Sequence, residues 1–138
     1  MKMKPMDPTW KKKWIKALRT PVEEGGYIQG RGRLVQPVMP YYMDEDMITR
    51  DNPHVGEDSF CCLGVVKNLL VQAGHGSWTD KVVQRSLYSL VYEDAGSLSD
   101  EDREVLGISI ACHARLTELN DEVRASLVYI ADWIEMYQ

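Results

Sequence analysis

The sequence predicts an α+β fold: a mostly helical single domain, residues 1–138, with a small antiparallel β-hairpin or short sheet. The chain of 138 residues has the length of one domain. Its apolar content of 44% and its charged content of 27% are typical of a folded globular protein. Most apolar residues recur at helical spacing, whereas strand patterns occur mainly in two short segments, 27–35 and 59–63.

The first third of the chain predicts one helix, one strand and a long loop. Asp7-Pro8-Thr9 begins the helix, and Thr20-Pro21 ends it because a residue before proline avoids the helical region. The apolar positions of this helix are Trp10, Trp14, Ala17 and Leu18. In the strand over residues 27–35, glycines indicate a bulge or a close backbone approach. Residues 36–58 are predicted to be a long surface loop or insertion, because they contain three prolines and few periodic apolar positions.

Helices dominate the rest of the chain. Segment 59–63 is a strand that would pair with 27–35, and it leads into a helix over 63–73 that Gly74 ends. Residues 82–91 predict a helix, or a helix followed by a strand, although their alternation also allows a strand. Serines in N-cap positions begin three further helices, at Ser99, Ser109 and Ser126. The inward residues expected in the last two helices are Ile110, Ala111, Ala114 and Leu119, then Leu127, Ile130, Ala131 and Ile134. We expect one core that buries Phe60, Cys62, Val66, Leu119 and Ile130.

Charge is distributed unevenly along the chain. Residues 1–33 contain nine basic and three acidic side chains, a net charge of +6, whereas the other 105 residues contain seven basic and 18 acidic side chains, a net charge of −11. The basic segment is either an anion-binding end or a helix that docks on the chain's own acidic body, and we favour the second interpretation. If the segment binds a partner or an anion, the candidate residues are Lys12, Lys13, Lys16, Gln29, Arg31 and Arg33.

No pattern of catalytic residues stands out, and we expect no catalytic residues, no metal and no cofactor. Residues 30–33 lack the GxGxxG spacing of dinucleotide loops and the GK[ST] ending of phosphate loops. Their amides could still cradle a phosphate, but an exposed, charged hairpin is the favoured interpretation. The acidic segment 44–51 lacks the EF-hand pattern and predicts a solvated loop.

The three cysteines allow two interpretations. Cys62, Cys112 and His113 could form a zinc site or a thiol–imidazole pair. Buried, reduced thiols are favoured, because an odd number of cysteines with two adjacent makes a poor disulfide framework.

The chain also lacks a stretch near the ~18 apolar residues of a membrane span, and its N-terminus lacks the apolar core of a signal peptide. We therefore expect no membrane contact.

Five short motifs follow one another along the chain. They are W-x-x-A-L at 14–18, Y-x-Q-G-x-G-x-L at 27–34, F-C-C-L-G-V at 60–65, L-x-x-L-N-D at 116–121 and I-A-D-x-I-E at 130–135. Together they resemble a family of small accessory proteins of tailed bacteriophages and prophages, for which no activity is established. The chain departs from that pattern in a longer segment between Leu34 and Phe60, and in Val123-Arg124-Ala125 where a glycine-containing turn is expected.

The resemblance implies a phage-encoded accessory protein that acts in the cytoplasm of the bacterial host. Such a protein would be non-enzymatic and would capture or inhibit a host protein, including a component of anti-phage defence. One alternative is a module that binds a nucleic acid or a nucleotide messenger through the basic N-terminal face. A second alternative is a cysteine- or metal-dependent enzyme. The sequence leaves self-association into a homo-oligomer open.

Overall fold

The computed structural model describes residues 4–38, 40–76, 78, 82–85, 90–92 and 97–138. These residues form five α-helices and three small β-sheets, which confirms the predicted α+β class. The helices are α1 (Pro8–Arg19), α2 (Cys62–Gln72), α3 (Asp100–Leu106), α4 (Ile110–Asp121) and α5 (Leu127–Tyr137). The strands are β1 (Ile28–Gln29), β2 (Val35–Pro37), β3 (Tyr41–Met43), β4 (Thr49–Asp51), β5 (Asp58–Phe60), β6 (Val82–Arg85) and β7 (Leu90–Tyr92).

The predicted helix ends are confirmed by their capping contacts. The Asp7 carboxylate accepts a hydrogen bond from the Trp10 amide at 3.0 Å and begins α1. Each of the three predicted serine caps accepts from the amide three residues later, at 3.0–3.1 Å. Gly107 ends α3 in the left-handed conformation, with a φ of 73°, which glycine adopts without steric cost.

The central sheet is short and mixed, in the order β1–β5–β2. Strand β5 pairs with β1 in parallel and with β2 antiparallel, so the pairing of segments 27–35 and 59–63 is confirmed. Neither segment is one continuous strand, however. The chain bends over residues 31–34 between β1 and β2, and α2 begins at Cys62, immediately after the sheet.

Two further antiparallel pairs replace structures expected from the sequence. Residues 36–58 contain the hairpin β3–β4, with Tyr41, Met43 and Met47 exposed. Over 82–85 and 90–91 the helix prediction is wrong, because β6 and β7 pair as strands, which the alternation of apolar and polar residues had allowed; residues 86–89 lie outside the described residues. When the spacing of apolar residues in a short segment fits both a helix and a strand, its secondary structure depends on whether a second strand pairs with it. Local periodicity carries no information about that pairing.

The core lies between α1, α2, α4 and α5. Of the five residues expected there, four are buried, and Phe60 is half-buried against the core. The inward residues predicted for α5 are also buried. In α4 the prediction is correct only for Leu119: Ala111 and Ala114 are exposed, and Ile110 is 71% exposed. The buried face of α4 begins instead at Cys112 and continues through Leu116 and Leu119 to Asn120, because Cys112 packs as a small hydrophobic residue.

Candidate functional site

Helix α1 presents its lysines to the surface because two other side chains fix its rotation. Trp14 and Leu18 are buried, and the Trp14 indole Nε1 donates to the Cys62 carbonyl oxygen at 2.9 Å. This hydrogen bond ties α1 to the first turn of α2. The opposite faces of α1 therefore expose Lys12, Lys13 and Lys16, three of the predicted site residues.

The described residues form two clefts beside α1, and the larger one has a volume of about 640 Å³. Four basic residues line it, Lys11, Lys12, Lys16 and Arg19, together with two acidic ones, Glu24 and Glu135. Apolar surface comes from Pro8, Ile15 and Pro21. Residues 12, 15, 16 and 19 lie on one face of a helix, because they are three or four positions apart. The cleft therefore combines several positive charges with an apolar wall and falls in the volume range of binding sites.

Part of this positive charge is neutralised within the protein. Arg19 Nη2 lies 2.7 Å from Asp132 Oδ1 and 2.5 Å from Glu135 Oε2. These hydrogen bonds, to Glu135 first and Asp132 second, raise the pKa of the Arg19 guanidinium above its ordinary value. Lys11 Nζ donates to the Glu135 carbonyl oxygen at 3.2 Å. The interpretation of α1 as a helix that docks on an acidic surface of the same chain thus fits Arg19 and Lys11.

Lys12 and Lys16 differ from those two residues. Both are exposed, and neither ammonium group has an ion-pair or hydrogen-bond partner within the part of the chain that the structure describes. Lys16 also lines the second cleft, on the other side of the helix. The two interpretations of the basic segment therefore apply to different residues: some dock α1 on α5, and others remain available to a ligand.

The second cleft, of about 320 Å³, lies between α1, α2 and the turn that precedes β1. Lys13, Lys16 and Thr20 line it from α1 and its C-cap, and Tyr27 and Leu69 complete it. The turn packs closely on α1, since a Cβ at Gly26 would lie 1.8 Å from the Thr20 carbonyl oxygen. The two lysines were predicted as site residues, whereas Thr20, Tyr27 and Leu69 were not, because nothing in their local sequence indicates a shared site.

Gln29, also predicted as a site residue, is occupied inside the protein. Its Nε2 donates to Asn120 Oδ1 at 3.0 Å and to the Ala125 carbonyl oxygen at 2.8 Å. The amide group of Gln29 therefore connects β1 with the end of α4 and the loop after it. The prediction that it binds a partner has no support from this geometry.

Asn120 is the centre of a buried polar network and is 1% exposed. Its Oδ1 also accepts from the Cys62 amide at 3.1 Å, and its Nδ2 donates to the Gly30 carbonyl oxygen at 2.9 Å. Asp121 Oδ1 accepts from Asn120 Nδ2 at 2.8 Å and from the Gly32 amide at 2.9 Å. Three of the five sequence motifs therefore meet in one set of hydrogen bonds, which stabilises the junction of sheet and helices.

The same network explains the position of the two predicted arginines. Arg31 is exposed and Arg33 half-buried in the bend over residues 31–34, which Asp121 binds through the Gly32 amide. The Gly30 amide donates to the Phe60 carbonyl oxygen at 2.8 Å. Both glycine amides that a phosphate could have used are thus occupied, which favours the interpretation of this segment as structural. The α1 lysines line the two clefts, whereas Arg33 lines a small cavity beside Cys61 and Asp121.

The three thiols are buried. Burial raises the pKa of Cys61 to about 11 and that of Cys112 to about 12, and it raises the pKa of Cys62 well above its ordinary value. Protonated thiols are poor nucleophiles and poor metal ligands. Among the described residues, no group of three or more His, Cys, Asp or Glu side chains is placed to hold a metal ion.

The acidic segment stabilises the β3–β4 turn. Asp44 Oδ1 accepts from the amides of Asp46 and Ile48, at 3.0 and 2.9 Å, and its Oδ2 lies 2.8 Å from Arg50 Nε. The Arg50 hydrogen bond first, and the Ile48 amide second, lower the pKa of the Asp44 carboxyl. This arrangement agrees with the expectation of a solvated acidic loop.

Comparisons with protein-family models, curated proteins and solved structures gave no match for this chain. Over the described ranges, no helix has both the length and the apolar character that crossing a membrane requires. The two clefts beside α1 are the candidate site, because the predicted residues Lys12, Lys13 and Lys16 line them.

Proposed function

We propose that this protein is a non-enzymatic binding protein that recognises an acidic surface of a host protein through the larger α1 cleft. The observation that carries the proposal is the pair of exposed lysines, Lys12 and Lys16, beside the apolar side chain of Ile15. Complementary charge increases the rate and the specificity of association, and apolar contact supplies affinity. A cleft of about 640 Å³ suits the insertion of a few side chains of a partner.

The biological setting of the proposal comes from the motif resemblance. A phage-encoded accessory protein would act in the cytoplasm of the bacterial host, where it would bind and inhibit a host factor, including a component of anti-phage defence. The buried, protonated thiols and the occupied glycine amides support a binding role over the thiol-enzyme and phosphate-loop alternatives.

A pull-down from bacterial lysate, followed by titration with the purified partner, tests the proposal. The informative variant is Lys12→Glu, because Lys12 is exposed and lines the larger cleft but not the smaller one. The matched control is Arg31→Glu, which makes the same charge change at another exposed position. We expect native protein and control to retain one acidic host protein that the cleft variant loses.

Other outcomes of this experiment discriminate among the alternatives. Equal capture by all three proteins would show that the cleft is not the binding surface. Capture of nucleic acid that declines steeply with salt would favour the nucleic-acid module, because phosphate binding releases counterions.

A further inference from the structure

The smaller α1 cleft has the composition of a small-molecule site. Two lysines, Lys13 and Lys16, line it together with the Thr20 side chain. Its apolar surface comes from Ala17, Leu69 and the ring of Tyr27. At about 320 Å³ it is at the lower end of the volumes found for ligand pockets, and it is large enough for one ring system with a charged substituent.

Within the part of the chain that the structure describes, the Tyr27 hydroxyl uses only part of its hydrogen-bonding capacity. Its hydroxyl oxygen accepts from Asn68 Nδ2 at 2.8 Å, and Asn68 Oδ1 in turn accepts from Trp78 Nε1 at 3.1 Å. These two hydrogen bonds orient the Tyr27 hydroxyl oxygen as an acceptor. The hydroxyl proton has no acceptor among the residues described. The ring is held edge-on against Phe60, with centroids 5.0 Å apart. Tyr27 therefore offers a ligand an immobilised aromatic ring and one hydrogen-bond donor.

The cations of this cleft are also available. Lys13 and Lys16 are exposed, and neither is paired with a carboxylate of the described part of the chain. Lys13 Nζ lies 5.0 Å from the centroid of the Trp10 ring, a contact that orients the ammonium group without neutralising it. Two ammonium groups at one cleft match the charge of a phosphate monoester, which is between −1.5 and −2 at neutral pH.

We propose that the smaller α1 cleft binds a phosphate monoester of a small aromatic or heteroaromatic molecule, such as a nucleoside monophosphate. Lys13 and Lys16 bind the phosphate, and Tyr27 and Leu69 contact the ring. The two proposals share Lys16, which lines both clefts, but they can be tested separately, because Lys13 and Tyr27 line only the smaller cleft and Lys12 lines only the larger one. Adjacent lysines thus provide a matched pair of variants.

Calorimetric titration of the purified full chain with phenyl phosphate, AMP and inorganic phosphate tests the proposal. We expect saturable binding of both aromatic phosphates, about tenfold tighter than inorganic phosphate because of the ring contacts. Lys13→Ala should weaken binding about fivefold and Tyr27→Phe about threefold, whereas Lys12→Ala should leave it within about twofold. Amide chemical shifts of Gly25 and Gly26 in the native protein should follow the titration, which gives a readout that needs no variant.

Three results would overturn the proposal. The first is the absence of saturable binding by both aromatic phosphates up to about 10 mM. The second is equal weakening by Lys12→Ala and Lys13→Ala, which would indicate unspecific attraction to a basic helix. The third is equal affinity for inorganic phosphate and AMP. If the site is confirmed, oligonucleotides with a 5′-phosphate or a 5′-hydroxyl will distinguish a free nucleotide from the end of a nucleic-acid strand.

Discussion

Replacement of Asn120 by alanine should destabilise the protein more than its size suggests. The side-chain amide of Asn120 accepts a hydrogen bond from the backbone N–H of Cys62 and donates one to the Gly30 carbonyl oxygen, and both of these backbone groups are buried. Removing it leaves these two backbone groups unpaired, whereas Gln29 keeps its bond to Ala125 and Asp121 keeps its bond to Gly32. An unsatisfied buried polar group costs about 1–3 kcal/mol, so we expect a loss of about 4 kcal/mol. That is a large part of the ~5–15 kcal/mol typical of a domain.

Urea unfolding followed by circular dichroism measures this loss. With a denaturant slope of about 2 kcal/mol per molar, the transition midpoint should fall by about 2 M. The control is Glu118→Ala, an exposed position of the same helix whose ion pair with Arg115 spans one turn; we expect less than about 0.5 kcal/mol. A loss below about 1 kcal/mol for Asn120→Ala would refute the reasoning, because it would mean that the network is replaceable by water.

Three further predictions concern stability. Gly64→Ala should lower the free energy of unfolding, measured by thermal unfolding, by about 3 kcal/mol or more, because the new Cβ would lie 1.7 Å from the Leu34 carbonyl oxygen. The control is Gln72→Ala at an exposed position of the same helix, and an equally small effect of both variants would contradict this close packing. Asp102→Asn should cost about 3–5 kcal/mol in urea unfolding, since it leaves the Lys67 ammonium, 2.9 Å away and equally buried, without its charge partner. Unfolding measured between pH 7.5 and 5 should show a stability decrease that depends on His113, whose pKa is lowered by burial and secondarily by the Arg103 charge.

The sign of the His113 effect follows from its lowered pKa. Because the folded protein binds the proton more weakly than the unfolded chain, the contribution is complete above about pH 6.5 and is lost as the pH falls through the folded pKa. Protonation of His113 Nε2 also removes the acceptor of the Leu98 amide, 3.2 Å away. His113→Gln should flatten this part of the profile of stability against pH, and an unchanged profile would exclude the assignment to His113.

The double variant Lys67→Met with Asp102→Leu is the control for the buried Lys67–Asp102 pair. If it recovers most of the stability that Asp102→Asn loses, the unpaired charge causes the loss.

The helix ends were predictable because capping is local. The side chains of Asp7, Ser99, Ser109 and Ser126 each bind an amide three residues later, so the complete interaction lies within one turn of sequence. The exposure of Lys12, Lys13 and Lys16 was predictable for the same reason, since helical periodicity places them away from the face that contains Trp14 and Leu18. The face of α4 was not, because its weakly amphipathic sequence gave no preference for Cys112 over Ile110.

The candidate site was predictable only in its charge. Lys12, Lys13 and Lys16 were predicted as candidate binding cations, but the distribution of these lysines between two clefts depends on α5 on one side and on the turn at Gly26 on the other. The role of Gln29 was beyond local analysis, because its partners Asn120 and Ala125 lie 91 and 96 residues away along the chain.

The sequence by itself determined the fold class, the positions of the five helices and the exposure of the basic face of α1, since each depends on capping and periodicity within a few residues. Only the tertiary structure decided which polar motif residues are structural and which surround a cleft. Asn120 and Tyr27 are both polar residues within motifs, but Asn120 is buried in a satisfied network, whereas the Tyr27 hydroxyl proton has no acceptor among the described residues. That difference depends on which distant groups packing brings within hydrogen-bonding distance.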